Sequence, residues 1–258
     1  LNANYELGNK RLMLGATSPI LIDNLKGERI GSRKSLVASL EFQSPSENSF
    51  TLMTGVTQDK DNLLGSTGND AYSMSGSRSN TTFAAIKAQN TIGNDLTLTG
   101  IASAAKTNMS KPRDSFINSA SNVNSSSLSL IATQKNITGD DSFSLSVSQP
   151  NRVNNGEMSI RLSNLAESDG SITHRNTNIN LKPTGRQMVY GLTYRKDLDK
   201  GIGFSVKHLL TSNLNHNHNS DLARSSYIGL RYKDLKLGYN INSHDLSENT
   251  ELSFNRLF

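Results

Sequence analysis

The chain has 258 residues, 34% of them hydrophobic and 19% charged, with no Cys, no Trp and a formal net charge of +5. That length suits one large domain or two small ones, no run of about 18 apolar residues is present to make a helical membrane span, and the missing Cys exclude a disulfide-stapled scaffold and a Cys-ligated metal. The basic residues are dispersed and do not interleave with aromatics on a common surface, so the excess charge reads as solvated and nucleic acid is not an expected partner.

The chain starts at Leu1 with neither Met nor the pattern of a signal peptide, and is expected to be the C-terminal part of something longer. Residues 1–34 are the least regular stretch. Two short apolar clusters, Leu12–Leu14 and Ile20–Ile22, are broken by Gly15 and Ser18-Pro19, and a basic, glycine-containing run, Lys26–Lys34, follows. Neither cluster has sustained helical periodicity, so this lead-in either packs inside the domain or adds one strand.

From Ser35 onward a period of two becomes persistent. Leu36, Ala38, Leu40 and Phe42 share one face, and after a turn at Ser44–Asn48 so do Phe50, Leu52, Thr54 and Val56. Further alternating segments centre on Thr81–Ala88, Leu96–Ala102, Leu128–Ala132, Phe143–Val147, Met158–Leu162, a more polar strand ending at Ile179 and Leu181, Met188–Tyr194, Ile202–Val206, Ile228–Tyr232, Leu235–Ile241 and the terminal Thr250–Phe258. Long polar intervals, 58–80, 106–124 and 212–224, alternate with short turns, as when one rim of a barrel carries tight turns and the other carries loops. Only Pro183–Gly185 is too short for its rim.

The segments number about thirteen, most of them long enough to cross a hydrocarbon layer at a tilt, and closing an antiparallel barrel in the usual way needs an even number. The expected fold is therefore all-β: a closed antiparallel transmembrane β-barrel of about 12 strands, with 14 as the alternative, over residues 35–258, preceded by the 1–34 lead-in. The charges agree with it. Glu41, Arg161, Lys207, Arg231, Lys236 and Glu251 all fall opposite the apolar row of their segments, on the face that would line the lumen. Arg186 and Arg256 lie on the apolar row at segment ends, where a long side chain snorkels to the headgroups. Tyr190, Tyr194, Tyr227, Tyr232 and Tyr239 are the candidates for an interface girdle. The opposite face is rich in small polar residues such as Ser39, Thr51, Ser144 and Ser146, which suits a wet interior better than a second core.

The last strand, with Leu252, Phe254 and Phe258 on one face and an aromatic at the terminus, resembles the C-terminal signal of Gram-negative outer-membrane barrels. A barrel of this length is similar to the translocator domain of autotransporters. Ile20-Leu-Ile-Asp23, Gly27-Glu-Arg29 and the segment Leu36–Phe42 resemble the lead-in of barrels that follow subtilisin-like passengers. The resemblance implies a location in the outer membrane of a Gram-negative bacterium and assembly through the barrel-assembly machinery, which reads Leu252, Phe254 and Phe258. It further implies an N-terminal passenger that the barrel anchors and helps to export, with residues 1–34 threading the lumen. Two other functions stay open: a self-contained outer-membrane channel or surface-binding barrel acting through its long loops, and a soluble β-sandwich or adhesin module.

No catalytic arrangement is present: no nucleophile elbow, phosphate-binding glycine loop or zinc-protease helix motif occurs. His216 and His218 alternate in a polar run without a third ligand nearby and read as solvated loop residues, and Asp197-Leu-Asp199 reads as a turn because it lacks the later ligands of a calcium loop. No enzyme activity, cofactor or metal is expected; the partners expected are outer-membrane lipid, the assembly machinery and the passenger.

Overall fold

The computed structural model describes residues 2–23, 29–44, 48–63, 72–166, 172–198, 201–232, 235–242 and 248–254. They form one antiparallel sheet of fourteen strands. In order these are β1 (Asn2–Leu7), β2 (Lys10–Asp23), β3 (Arg29–Gln43), β4 (Ser49–Lys60), β5 (Arg78–Ile92), β6 (Leu96–Met109), β7 (Ile117–Lys135), β8 (Asp141–Ala166), β9 (Ile172–Asn180), β10 (Met188–Leu198), β11 (Ile202–Ser212), β12 (Ala223–Tyr232), β13 (Leu235–Asn242) and β14 (Glu248–Phe254). The strands pair in sequence order along one continuous path from β1 to β14 that skips β9; β9 pairs only with β8, and β8 pairs directly with β10. Among the described residues no ladder joins β14 to β1.

Two differences from the sequence expectation have a physical cause. The lead-in is part of the wall. Asn2–Leu7 pairs with Lys10–Gly15, and Lys10–Asp23 pairs with β3 through a register shift between Thr17 and Ile20. The shift falls at Ser18-Pro19, which is why the alternation of Leu12 and Leu14 does not continue in phase into Ile20 and Ile22. The expected boundary at residue 34 falls inside β3.

The second difference concerns residues 149–187. Sequence alternation makes Phe143–Val147 and Met158–Leu162 two crossings separated by a loop at Pro150–Gly156. The structure instead runs a single 26-residue β8 through both. Pro150 lies just past Ser148, the last β8 residue that pairs in the β10 ladder, where a missing N–H removes no bond on that side. Gly156 adopts φ 154°, which side chains rarely take, and a Cβ there would stand 2.9 Å from the Val123 backbone. Together with the register shifts against β7, these residues bend the strand without ending it. Its far half and β9 form a hairpin beyond the wall. The segment 149–187 is thus one long-rim excursion, which accounts for the short Pro183–Gly185 connection. Among the described residues the wall has thirteen strands, including β1 and β2 and excluding β9, and the whole sheet has fourteen, the number given above as the alternative to twelve.

The strand ends Leu7 and Lys10, Gln43 and Ser49, Ile92 and Leu96, Lys135 and Asp141, Leu198 and Ile202, and Tyr232 and Leu235 share one rim, the short rim. The strand ends Asp23 and Arg29, Lys60 and Arg78, Met109 and Ile117, Ser148 and Met188, Ser212 and Ala223, and Asn242 and Glu248 share the other, the long rim. On the short rim the Asp141 carboxylate accepts hydrogen bonds from the Ile137 and Thr138 backbone N–H groups, the Thr138 hydroxyl and the Tyr194 hydroxyl, closing the β7–β8 turn.

Register decides what each face carries. Leu12, Leu40, Leu52, Ile86, Ala102 and Leu128 stand side by side on β2 to β7, and Phe143, Tyr194, Val206, Ile228 and Tyr239 on β8 to β13. The other face carries Met13, Ser39, Met53, Ala85, Ser103 and Ser127, then Ser144, Thr193, Lys207, Tyr227 and Asn240. A curled sheet spreads side chains on its convex face and crowds those on its concave face. Leu130, Leu145 and Leu230 are 50%, 51% and 50% exposed, whereas Ser39 is 6% exposed. The apolar row is the outer one. This is the inverse of a water-soluble barrel, and charge at mid-depth on such a face is unfavourable in lipid. Leu52→Arg is expected to lower the stability of the lipid-inserted protein by about 2–4 kcal/mol, and Thr51→Arg, one residue away on the inner face, by less than about 1 kcal/mol, as read by denaturant titration in vesicles.

Candidate functional site

The inner face is a wall of short polar side chains that satisfy one another across strands. Thr81 and Thr107 hydroxyls meet at 2.8 Å, Ser103 and Ser127 at 2.7 Å, and Thr133 and Ser144 at 2.9 Å. These side chains are too small to fill an interior, so space remains between them. Inner cavities of about 440 Å³ and 320 Å³ adjoin Tyr227, the first also lined by Arg195, Asp197 and Arg231, the second by Lys207, Ser225 and Asn240.

Charges on this face fall into two groups. Arg33 donates to both Asp59 oxygens, at 2.6 Å and 3.3 Å; Arg231 meets Asp197 at 2.7 Å; Arg11 stands 3.7 Å from Glu6. In the first pair Asp59 is buried and Arg33 is not, so the fork supplies the charge and the hydrogen bonds that a buried carboxylate needs. The second group, Lys87, Arg195 and Lys207, has no acidic partner among the described residues. Glu41, in the same cross-strand row as Lys87, forms no ion pair either, so the described part of the inner wall carries an excess of positive charge and not positive charge alone.

Tyr227 fixes part of this geometry. Its ring and hydroxyl lie over Gly229 on its own strand and Gly238 on β13: a Cβ at either position would come within 2.6 Å and 2.7 Å of it. The two glycines provide the slot, and the aromatic ring covers backbone that would otherwise face the interior bare.

The long rim carries a cap. Leu63 and Met74, from the β4–β5 connection, pack with Met109, Ile117, Ala120 and Val123 over the inner end of β6 and β7, with Val153, Met158 and Leu181 beside them. Asp61 accepts the Gly76 N–H at 2.6 Å, Arg113 N–H donates to Ser75 O, and Tyr72 meets Phe116 edge-on at 6.2 Å. A second junction is built on His216. The Gln187 N–H donates to its Nδ1 at 2.9 Å, which leaves Nε2 to donate to Asn151 O at 3.0 Å, while its own carbonyl accepts the Gly185 N–H. Arg152 adds bonds to the Gly185 and Pro183 carbonyls.

Of the lumen charges expected from sequence, Glu41, Lys207 and Arg231 stand on the inner face; Lys236 and Glu251 hold inner register positions opposite Arg231 and Gly238. Arg161 does not join them. It lies opposite Asn176 in the β8–β9 hairpin, exposed and beyond the wall, because β8 does not turn at Pro150–Gly156. Leu252 and Phe254 hold outer register positions opposite Leu237 and Leu235; Phe258 lies outside the described residues. His216 is a junction residue and not a solvated one, and Asp197 pairs with Arg231; Asp199 lies outside the described residues. Sequence reasoning missed Lys87 and Arg195, which the same alternation marks as inward, and Arg11 and Arg33, hidden in the lead-in. Among the described residues no three metal-ligating side chains come together.

No family model matches the chain, and no curated protein matches it. Among solved structures it is similar to the TodX deltaS2S3 mutant, a monoaromatic hydrocarbon channel, with 13% identity and a TM-score of 0.52 over 97% of this chain and 77% of that one. The likeness is one of fold: this chain has the architecture of an outer-membrane β-barrel.

The slot under Tyr227 has a measurable consequence. Gly229→Val is expected to destabilise the barrel by about 1–3 kcal/mol through overpacking, and adding Tyr227→Ala to recover part of it, by denaturant titration of both variants.

Proposed function

We propose that this chain is a channel of the Gram-negative outer membrane that passes small polar solutes and favours anions. The observation that carries the reading is the division of the sheet into an apolar outer row and a hydroxyl-rich inner row on which, among the described residues, Lys87, Arg195 and Lys207 form no ion pair and outnumber the unpaired Glu41. Rings of like charge inside a pore set its ion preference. The similarity to a solved outer-membrane channel supports the same class. That neighbour is a monoaromatic hydrocarbon channel; the inner wall here, with its serines, threonines and cations, is better suited to charged or hydrogen-bonding solutes.

Transport through the wall needs no bond chemistry, so we assign no enzymatic role. Insertion would proceed through the barrel-assembly machinery, with Leu252, Phe254 and Phe258 as its recognition face and with β14 and β1 supplying the edges that close the barrel. Passenger export in the autotransporter manner, the subtilisin-like type included, is the less favoured reading. It would thread residues 1–34 through the lumen, and 2–7 and 10–23 are instead committed to backbone ladders.

In planar bilayers under a KCl gradient the protein should conduct, with a reversal potential of the sign given by chloride preference. Lys87→Gln, Arg195→Gln and Lys207→Gln combined should move that potential toward zero. A folded, inserted protein that passes no current, or whose selectivity ignores the triple substitution, contradicts the proposal.

A further inference from the structure

On β3 to β6 the outer face carries four cations, Lys34, Lys60, Arg78 and Lys106, and no acidic residue. All four are exposed; Lys34, Lys60 and Arg78 lie on the long-rim side of Leu36 and Val56, and Lys106 stands in the row of those two residues, beside Thr82. Lys60 and Arg78 are directly opposite each other in the ladder, a placement that brings Cβ atoms to about 5 Å and is unfavourable for like charges unless an anion lies between them. Lys34, opposite Gln58, is diagonal to Lys60.

The nearest carboxylates are engaged elsewhere: Asp59 points inward to Arg33, and Asp61 accepts the Gly76 N–H. Cations on the outer face near the short rim have partners of their own, Lys10 over the Phe42 ring at 5.8 Å and Lys196 on the Thr138 hydroxyl.

Immediately below Lys60 and Arg78 is an outer-face cavity of about 430 Å³. Leu36 and Val56 form its apolar side, and Lys34, Gln58, Asn80 and Thr82 its polar side, with Gln58 donating to Asn80 at 3.1 Å. Its two halves are arranged in the order of a lipid: apolar toward the belt, hydrogen-bonding and cationic toward the rim. Every chain of this belt faces hydrocarbon, so the occupant that matches both halves is an amphiphile with an anionic head.

We infer that the outer face of β3 to β6 is a binding site for a phosphate-bearing membrane lipid of the long-rim leaflet. One acyl chain lies along Leu36 and Val56, and head-group phosphate bridges Lys60 and Arg78, with Lys34 and Lys106 flanking. This rests on the membrane reading given above. Relief of the Lys60–Arg78 repulsion makes the lipid a stabilising component of the folded wall.

The test is lipid retention by native mass spectrometry of the inserted protein in nanodiscs of phosphatidylcholine containing a minor share of phosphatidic acid. The wild-type chain is expected to retain phosphatidic acid over phosphatidylcholine. Lys34→Gln, Lys60→Gln, Arg78→Gln and Lys106→Gln combined should lower that retention more than about tenfold, each cation near a membrane surface contributing on the order of a kcal/mol. Lys87→Gln with Lys207→Gln, which removes charge from the inner face, should leave it unchanged. Equal retention by the quadruple variant overturns the inference, as does inorganic phosphate displacing the signal at the lipid's concentration, which would identify a free-anion site. Insertion is scored separately by protease protection: failure to insert speaks against the membrane reading, whereas insertion without lipid preference speaks against this site alone.

Discussion

The backbone ladder is the constraint on which the rest depends. In hydrocarbon each unpaired N–H or C=O is expensive, so every wall strand must bond to both neighbours, and once it does, its register assigns every side chain to one face or the other. A slip of one residue would send Leu52, Ile86 and Leu130 inward and Lys87, Arg195 and Lys207 into lipid. The long uniform ladders from β3 to β6 and from β10 to β13 contain no such slip. The register shifts are confined to β2–β3, the long-rim ends of β6, β7 and β8, and the β8–β9 hairpin.

That distribution explains what could be read from the residues alone. Where strands alternate without bulges, as in Leu36–Phe42 or Ile228–Tyr232, a period of two gives strand, face and the inward position of Lys207 and Arg231 together. Alternation fails where the chain keeps its direction but changes phase. Ser18-Pro19 hides β2, and with it Arg11 on the inner face. Pro150 and Gly156 look like a loop, so one long β8 reads as two crossings and Arg161 is assigned to a lumen it does not reach. Long-range pairings leave no local signal: nothing near His216 in the sequence indicates Gln187 or Asn151.

The inner face and the cap have different physics. Below the cap the wall is held by hydroxyl pairs and by Tyr227 seated over Gly229 and Gly238, an arrangement that keeps space open around Arg195 and Lys207. At the long rim a small apolar core, Leu63 and Met74 against Met109 and Val123, covers the β6–β7 end of the interior, and His216 pins the neighbouring connections. The open space of the inner face and the structured rim thereby lie on different sectors of the same sheet.

The central claim is that the apolar row faces lipid and the hydroxyl row faces water. Because the chain has no Cys, single thiols can be introduced without background. In vesicles, Leu52→Cys, Leu130→Cys and Ile228→Cys should resist a water-soluble maleimide and react with a lipid-dissolved one, while Thr51→Cys, Ser129→Cys and Thr193→Cys should do the reverse. If the first set labels from water as fast as the second, the assignment of faces, and the membrane barrel with it, is contradicted.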